Sequence, residues 1–162
     1  MNHPLLDLRE SRVIPASAQT LYDLLSTIEL MPTFSPETVQ TRWLDGARGV
    51  AVGHRFAGVN VLGRMRWTTT PTVTAADPGR RFAFRVPTGA ACTWSYELEP
   101  VDGGTRVTES VRAERRMPAP IRALVRLSGV RDREAHLRVG ITTTLARLAE
   151  VAVAAEATTT VR

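Results

Sequence analysis

From Asp132 to Ala157 the apolar residues Leu137, Ile141, Leu145, Leu148 and Val151 or Ala152 recur at steps of three and four. That is the spacing of one face of a long amphipathic helix, and such a face must be covered. Nearly everything between Val39 and Ala113 reads as strands. The surface to be covered is therefore the inner face of an antiparallel sheet, and the space between helix and sheet is where a functional site is expected.

Ahead of the sheet, Leu6 to Ile14 reads as a first strand ended by Pro15. Placing Ile14 inward also turns Arg12, Glu10 and Leu8 inward, because successive side chains alternate between faces. Ser17 is suited to cap a short helix with the stripe Leu21, Leu24, Leu25 and Ile28, and the prolines of Met31 to Pro36 force a turn or a second short helix. Six further strands are expected at about 38–44, 53–60, 64–76, 81–86, 91–100 and 105–115. Their separators, such as Asp77-Pro78-Gly79 and Asp102-Gly103-Gly104, are turn chemistry, so neighbours run antiparallel. Trp94, Tyr96 and Leu98 alternate with Ser95, Glu97 and Glu99, the pattern of a sheet covered on one side. Pro118 and Pro120 precede a short helical piece, 121–127, which Ser128-Gly129 ends.

The chain of 162 residues is sized for one domain, placed at 1–157, with 158–162 as a tail expected to fray. The single Cys92 allows no internal disulfide and has no evident base beside it. His3, His54 and His136 have no zinc-ligand spacing, so no metal or other cofactor is expected. No secretory leader or long apolar run is evident, and a soluble protein of the cytoplasm is the expectation. All 21 basic residues are arginine, which reads as the mark of a GC-rich genome and argues against a nucleic-acid partner. Nine of them fall between Arg106 and Arg138 against four acids, a surplus equal to the whole net charge of +5. Such a patch either solvates the surface or meets an anionic partner.

Seven pieces in order carry a resemblance: Ser11-Arg12-Val13-Ile14-Pro15-Ala16; Met31-Pro32-x-Phe34-Ser35-Pro36; Val52-Gly53-x-x-Phe56-x-Gly58-x-Asn60; Arg66-Trp67-Thr68-Thr69; Phe82-Ala83-Phe84; Thr93-Trp94-x-Tyr96-x-Leu98-Glu99-Pro100; and Gly103-Gly104-Thr105-x-Val107-Thr108-Glu109. Over about residues 6 to 155 the chain resembles the SRPBCC superfamily (START, birch-pollen-allergen-like), and within it the actinobacterial polyketide cyclase/dehydrase and lipid-transport group. The resemblance implies an α+β helix-grip fold: a seven-stranded curved antiparallel sheet, two short helices after the first strand, and the long C-terminal helix gripped around a cavity for a hydrophobic molecule. Phe34 and Tyr22 stand where tryptophan is common in that family, and Glu10 where a small or apolar residue is usual.

Inward-facing positions nominate His54, Phe56, Asn60, Met65, Trp67, Thr69, Phe82, Phe84, Trp94, Tyr96, Leu137, Ile141 and Leu145 as ligand-binding residues. The aromatic excess suits a flat or conjugated guest. Glu109 lies between Val107 and Val111 at the spacing of two and must share their inward face, where an unpaired carboxylate is costly. Arg12 is its expected partner, since the resemblance makes the first and last strands neighbours. Either the pair is a structural ion pair, or Glu109 (with Glu10 as a substitute) is a general base for enolising a poly-β-ketone while Arg12 holds an oxygen and Tyr96 orients the enolate. Two functions stay open: a cyclase or dehydratase served by an acidic acyl carrier protein at Arg115, Arg116, Arg122 and Arg126, or a non-catalytic carrier or sensor of a lipid-like metabolite. A third, docking of 121–127 on a membrane or partner, gives a weak anchor because the piece is short.

Overall fold

A computed structural model describes residues 5–160. His3, Val161 and Arg162 lie outside the described residues. The chain runs β1 (Asp7–Ile14), α1 (Ala18–Ser26), a 3-10 turn (Ile28–Leu30), α2 (Met31–Phe34), β2 (Thr38–Trp43), β3 (Phe56–Leu62), β4 (Met65–Thr69), β5 (Thr72–Asp77), β6 (Arg81–Val86), β7 (Cys92–Val101), β8 (Gly104–Ala113), α3 (Ala119–Leu127) and α4 (Arg133–Thr160). All strand pairings are antiparallel, and the long last helix packs on β1 and β8 beside α1 and α2.

The sheet has eight strands in two parts where seven in one were expected. Five strands form the order β1-β8-β7-β6-β5, and three form β2-β3-β4. The sequence pattern of 64–76 predicts one strand, but Pro71 divides it: proline has no N–H to donate and fixes its own φ, so a ladder cannot pass through it. β4 stays with β3, and β5 crosses to β6. The two parts remain joined at this corner, where Phe56 N donates to Pro71 O at 3.1 Å and Val73 N to His54 O at 2.9 Å. The two parts together wall a hollow.

α4 covers the concave side with Leu137, Ile141, Leu145, Leu148 and Ala152 buried, the stripe read from the sequence. Asp132 caps it, its carboxylate accepting from Ala135 N at 3.0 Å. At the other end the helix passes Ala157 and runs to Thr160, beyond the expected start of a frayed tail. Two features hold that end: Thr158 and Thr159 donate their hydroxyls to Ala154 O and Ala155 O, and the Glu156 carboxylate accepts from Ser17 N at 2.8 Å.

The β7–β8 hairpin depends on one glycine more than the other. A β-carbon on Gly104 (φ +146°) would lie 2.1 Å from Ile14 O, whereas one on Gly103 (φ +84°) would meet nothing within 4 Å. Gly104→Ala is therefore expected to lose about 3 kcal/mol or more, and Gly103→Ala about 1 kcal/mol from backbone strain alone. Urea unfolding of the two variants checks the difference; equal losses would remove the steric account.

Candidate active site

The hollow between sheet and helix is a cavity of about 210 Å³. Its walls come from every layer: Phe56, Asn60, Trp67 and Thr69 from β3 and β4; Phe84, Trp94, Tyr96, Glu109 and Val111 from β6, β7 and β8; Leu137, Gly140, Ile141 and Thr144 from α4. The volume lies below the ~300–1,000 Å³ usual for ligand pockets, so a guest of ordinary size requires the mouth to give.

Most sequence-nominated residues converge here. Phe56, Asn60, Trp67, Thr69, Phe84, Trp94, Tyr96, Leu137 and Ile141 line the cavity, and four of those nominated do not. His54 precedes β3 in a turn, where its Nδ1 lies 2.8 Å from Gly49 O and its ring meets Trp43 edge-on at 6.2 Å; it faces a shallow groove with Leu44–Arg48. Met65 sits at the end of the β3–β4 hairpin opposite Leu62, beyond the cavity's reach. Phe82 is wholly buried behind Tyr96, the two rings stacked at 6.4 Å and 13°. Leu145 packs in the core one turn past Ile141.

Glu109 is 2% exposed, between the fully buried Val107 and Val111. Its register partners are Tyr96 on β7 and Glu10 on β1. The Tyr96 hydroxyl donates to Glu109 Oε1 at 3.0 Å, and Oε2, also buried, has no hydrogen-bond partner among the described residues. Burial pushes the Glu109 carboxyl up to about 8, a rise that the Tyr96 hydrogen bond only moderates. Burial and the neighbouring Glu109 likewise push the Tyr96 phenol well above its ordinary value. At neutral pH the site holds a carboxylic acid beside a phenol, embedded in aromatic walls.

The expected Arg12–Glu109 pair is absent. Arg12 stands opposite Val107, two positions along, and is exposed on the edge strand, where its guanidinium keeps its water and makes no ion pair among the described residues. Reaching Glu109 would require stripping the guanidinium of solvent, whereas a buried acid avoids its charge by keeping a proton. The inward charge on β1 is met from the helix instead: Arg138 donates to Glu10.

A second polar group lies on the β2–β3–β4 wall. Thr38 donates to Asn60 Oδ1 at 2.9 Å, and Asn60 Nδ2 donates to Gly58 O at 3.2 Å and Thr69 Oγ1 at 3.3 Å. At the rim, Arg133 in the first turn of α4 grips Glu37, which follows α2, through both carboxylate oxygens, and His136 Nε2 lies 3.2 Å from the same carboxylate. Thr38, Glu37 and Arg133 were not nominated. The Glu37–Arg133 contact spans 96 residues and leaves no local signal. Cys92 also lines the cavity; burial raises its thiol and Glu114 raises it further, against a lowering by Arg133, so it stays a thiol and packs as a small apolar group.

A bent antiparallel sheet gripping a long helix over an aromatic-walled cavity is the helix-grip architecture. The chain belongs to the family described as polyketide cyclase/dehydrase and lipid transport, whose model matches residues 6–155. Among solved structures it is similar to the polyketide-cyclase-like protein Cgl2372 of Corynebacterium glutamicum at 28% identity and a TM-score of 0.61, covering 91% of each chain. It is similar in fold to the di-domain ARO/CYC protein StfQ of the steffimycin biosynthetic pathway, with a TM-score of 0.72 and 17% identity over 94% of this chain and 52% of that one. The major latex-like protein 151 of Panax ginseng shares the fold with a TM-score of 0.70 and 14% identity, over 92% and 99% of the two chains. No curated protein matches the sequence.

The raised value of Glu109 has a sign for stability. Between the ordinary 4.5 and about 8 the folded chain keeps a proton that the unfolded chain has released. This residue's contribution is therefore full below the lower value and is lost as pH rises through the upper one, by up to about 1.4 kcal/mol per pH unit. Glu109→Gln keeps the shape and an acceptor for Tyr96 but has nothing to titrate. Urea unfolding at about pH 5 and about pH 9 should show the wild type losing markedly more stability than the Gln variant; parallel losses would mean that Glu109 is ionised throughout.

Proposed function

We propose that the protein binds a flat, largely apolar, oxygen-bearing small molecule of polyketide-like or lipid-like kind between sheet and α4, and that Glu109 exchanges a proton with it. The observation that carries this reading is the buried Glu109 carboxyl, with one oxygen held by Tyr96 and the other unpartnered on the cavity wall. A value near 8 makes such a group a competent acid and a competent base close to neutrality. Trp67, Trp94, Phe56 and Phe84 offer rigid faces to a conjugated guest, and the Thr38–Asn60–Thr69 group offers a second polar end across the cavity.

For a poly-β-ketone the chemistry is simple to write. In its ionised form Glu109 takes a proton from a methylene between two carbonyls, leaving an enolate. The enolate carbon attacks a second carbonyl of the same chain, and the alkoxide so formed recovers the proton from Glu109. Loss of water from the resulting alcohol completes a cyclisation and dehydration. Tyr96 keeps its own proton throughout, orienting Glu109 by its hydrogen bond.

Carriage without chemistry is the second reading, and the same protonated Glu109 favours it: a neutral carboxyl in an apolar wall is a hydrogen-bond donor for a ligand oxygen and need do nothing more. Glu109→Gln separates the two. Turnover of a carrier-bound poly-β-ketone should fall by about a hundredfold or more, while the affinity for a hydroxylated anthraquinone, read by quenching of Trp67 and Trp94, changes less than about tenfold. Unchanged turnover in a folded variant would sink the catalytic reading. Native mass spectrometry with organic extraction of the purified protein then assigns the ligand class directly.

A further inference from the structure

Helix α3 turns its apolar side to water. Val125 on that side is buried, whereas Ile121, Leu124 and Leu127 are 37%, 54% and 84% exposed. These three recur at steps of three along one flank, and Arg122 and Arg126 occupy the other. From Arg115 to Arg131 the chain has five arginines, no acidic residue and no aromatic one. Arg122, Arg126 and Arg131 are exposed and make no ion pair among the described residues.

A second segment joins this surface from far away in sequence. Gly63, at the tip of the β3–β4 hairpin, packs so closely on the α3–α4 turn that a β-carbon there would lie 2.9 Å from Ser128 O. The neighbouring Arg64 is exposed and adds a further cation. Met117, just before α3, lines the cavity, so the basic and apolar surface borders the ligand space.

We propose that α3, with its flanking arginines and Arg64, docks the edge of the cavity onto an anionic bilayer surface. The aliphatic side chains enter the boundary between headgroups and acyl chains, and the guanidinium forks take lipid phosphates and carboxylates. No helix among the described residues is long and apolar enough to cross a membrane, so the contact is superficial and reversible. An acidic acyl carrier protein would answer the same arginines, but protein hot spots favour aromatic anchors and under-use leucine, and α3 exposes leucine and no aromatic. The docking does not depend on what the cavity holds.

Vesicle co-sedimentation of the full chain tests it, with phosphatidylcholine vesicles against phosphatidylcholine mixed with phosphatidylglycerol. The wild type should sediment with the anionic vesicles only, and raised salt should release it. Leu124→Ser with Leu127→Ser, and separately Arg122→Glu with Arg126→Glu, should each weaken binding about tenfold or more without changing the thermal midpoint, since all four side chains are exposed. Failure of the wild type to bind anionic vesicles overturns the proposal, as does full binding by both double variants. Self-association in sedimentation velocity that the leucine variant abolishes would assign the face to a second copy, and tighter binding to an acidic acyl carrier protein than to vesicles would assign it to that partner; either result also overturns it.

Discussion

Everything in this molecule depends on a helix that has to be covered by a sheet able to bend. The buried stripe of α4, from Leu137 to Ala152, is too apolar to face water and needs a sheet face beneath it. The chain meets it with a five-stranded and a three-stranded sheet that meet at Pro71, where one strand segment changes sheets. Trp67 from the three-stranded part and Trp94 from the five-stranded part both line the hollow between them and α4.

Inside the hollow, the alternation of one strand places a titratable group among packed apolar side chains. β8 alternates Val107, Glu109, Val111 along one face, so the strand's own geometry commits a carboxyl to the interior whatever its solvation cost. Tyr96 opposite satisfies one oxygen, and the remaining cost appears as a carboxyl that prefers its proton. Family membership gives the setting, a cavity in a helix-grip fold, and the Glu109–Tyr96 pair gives this chain its particular character.

Periodicity made the helix, the strand faces and the inward turn of Glu109 readable from the sequence, because each is a local property repeated along the chain. Most of the aromatic wall was readable for the same reason. What the sequence did not show depends on where the strands end and on contacts between distant parts of the chain. His54 and Met65 carry the right parity, but they sit where a strand begins or a hairpin ends, and parity says nothing about how far along the strand the cavity extends. The neighbourhood of β1 and β8 suggests Arg12 as a partner for Glu109, but Arg12 stands opposite Val107 and is exposed on the edge strand. Glu37–Arg133 and Arg138–Glu10 join residues far apart in the chain, and ion pairing of that range leaves no pattern in sequence.

Those last contacts give α4 an uneven footing. Its second half, with Leu145, Leu148 and Ala152 in the core and Glu156 tied to Ser17, is clamped by apolar packing. Its first half borders the cavity through Leu137, Gly140 and Ile141, and is tied by Arg133 to Glu37 on the cavity wall and by Arg138 to Glu10 on β1. The helix is mechanically a cantilever, rooted in oil and moored by charge. Salt screens the more exposed Arg138–Glu10 pair more than the half-buried Arg133–Glu37 pair, so the mooring on the cavity wall outlasts the one on the edge strand as ionic strength rises.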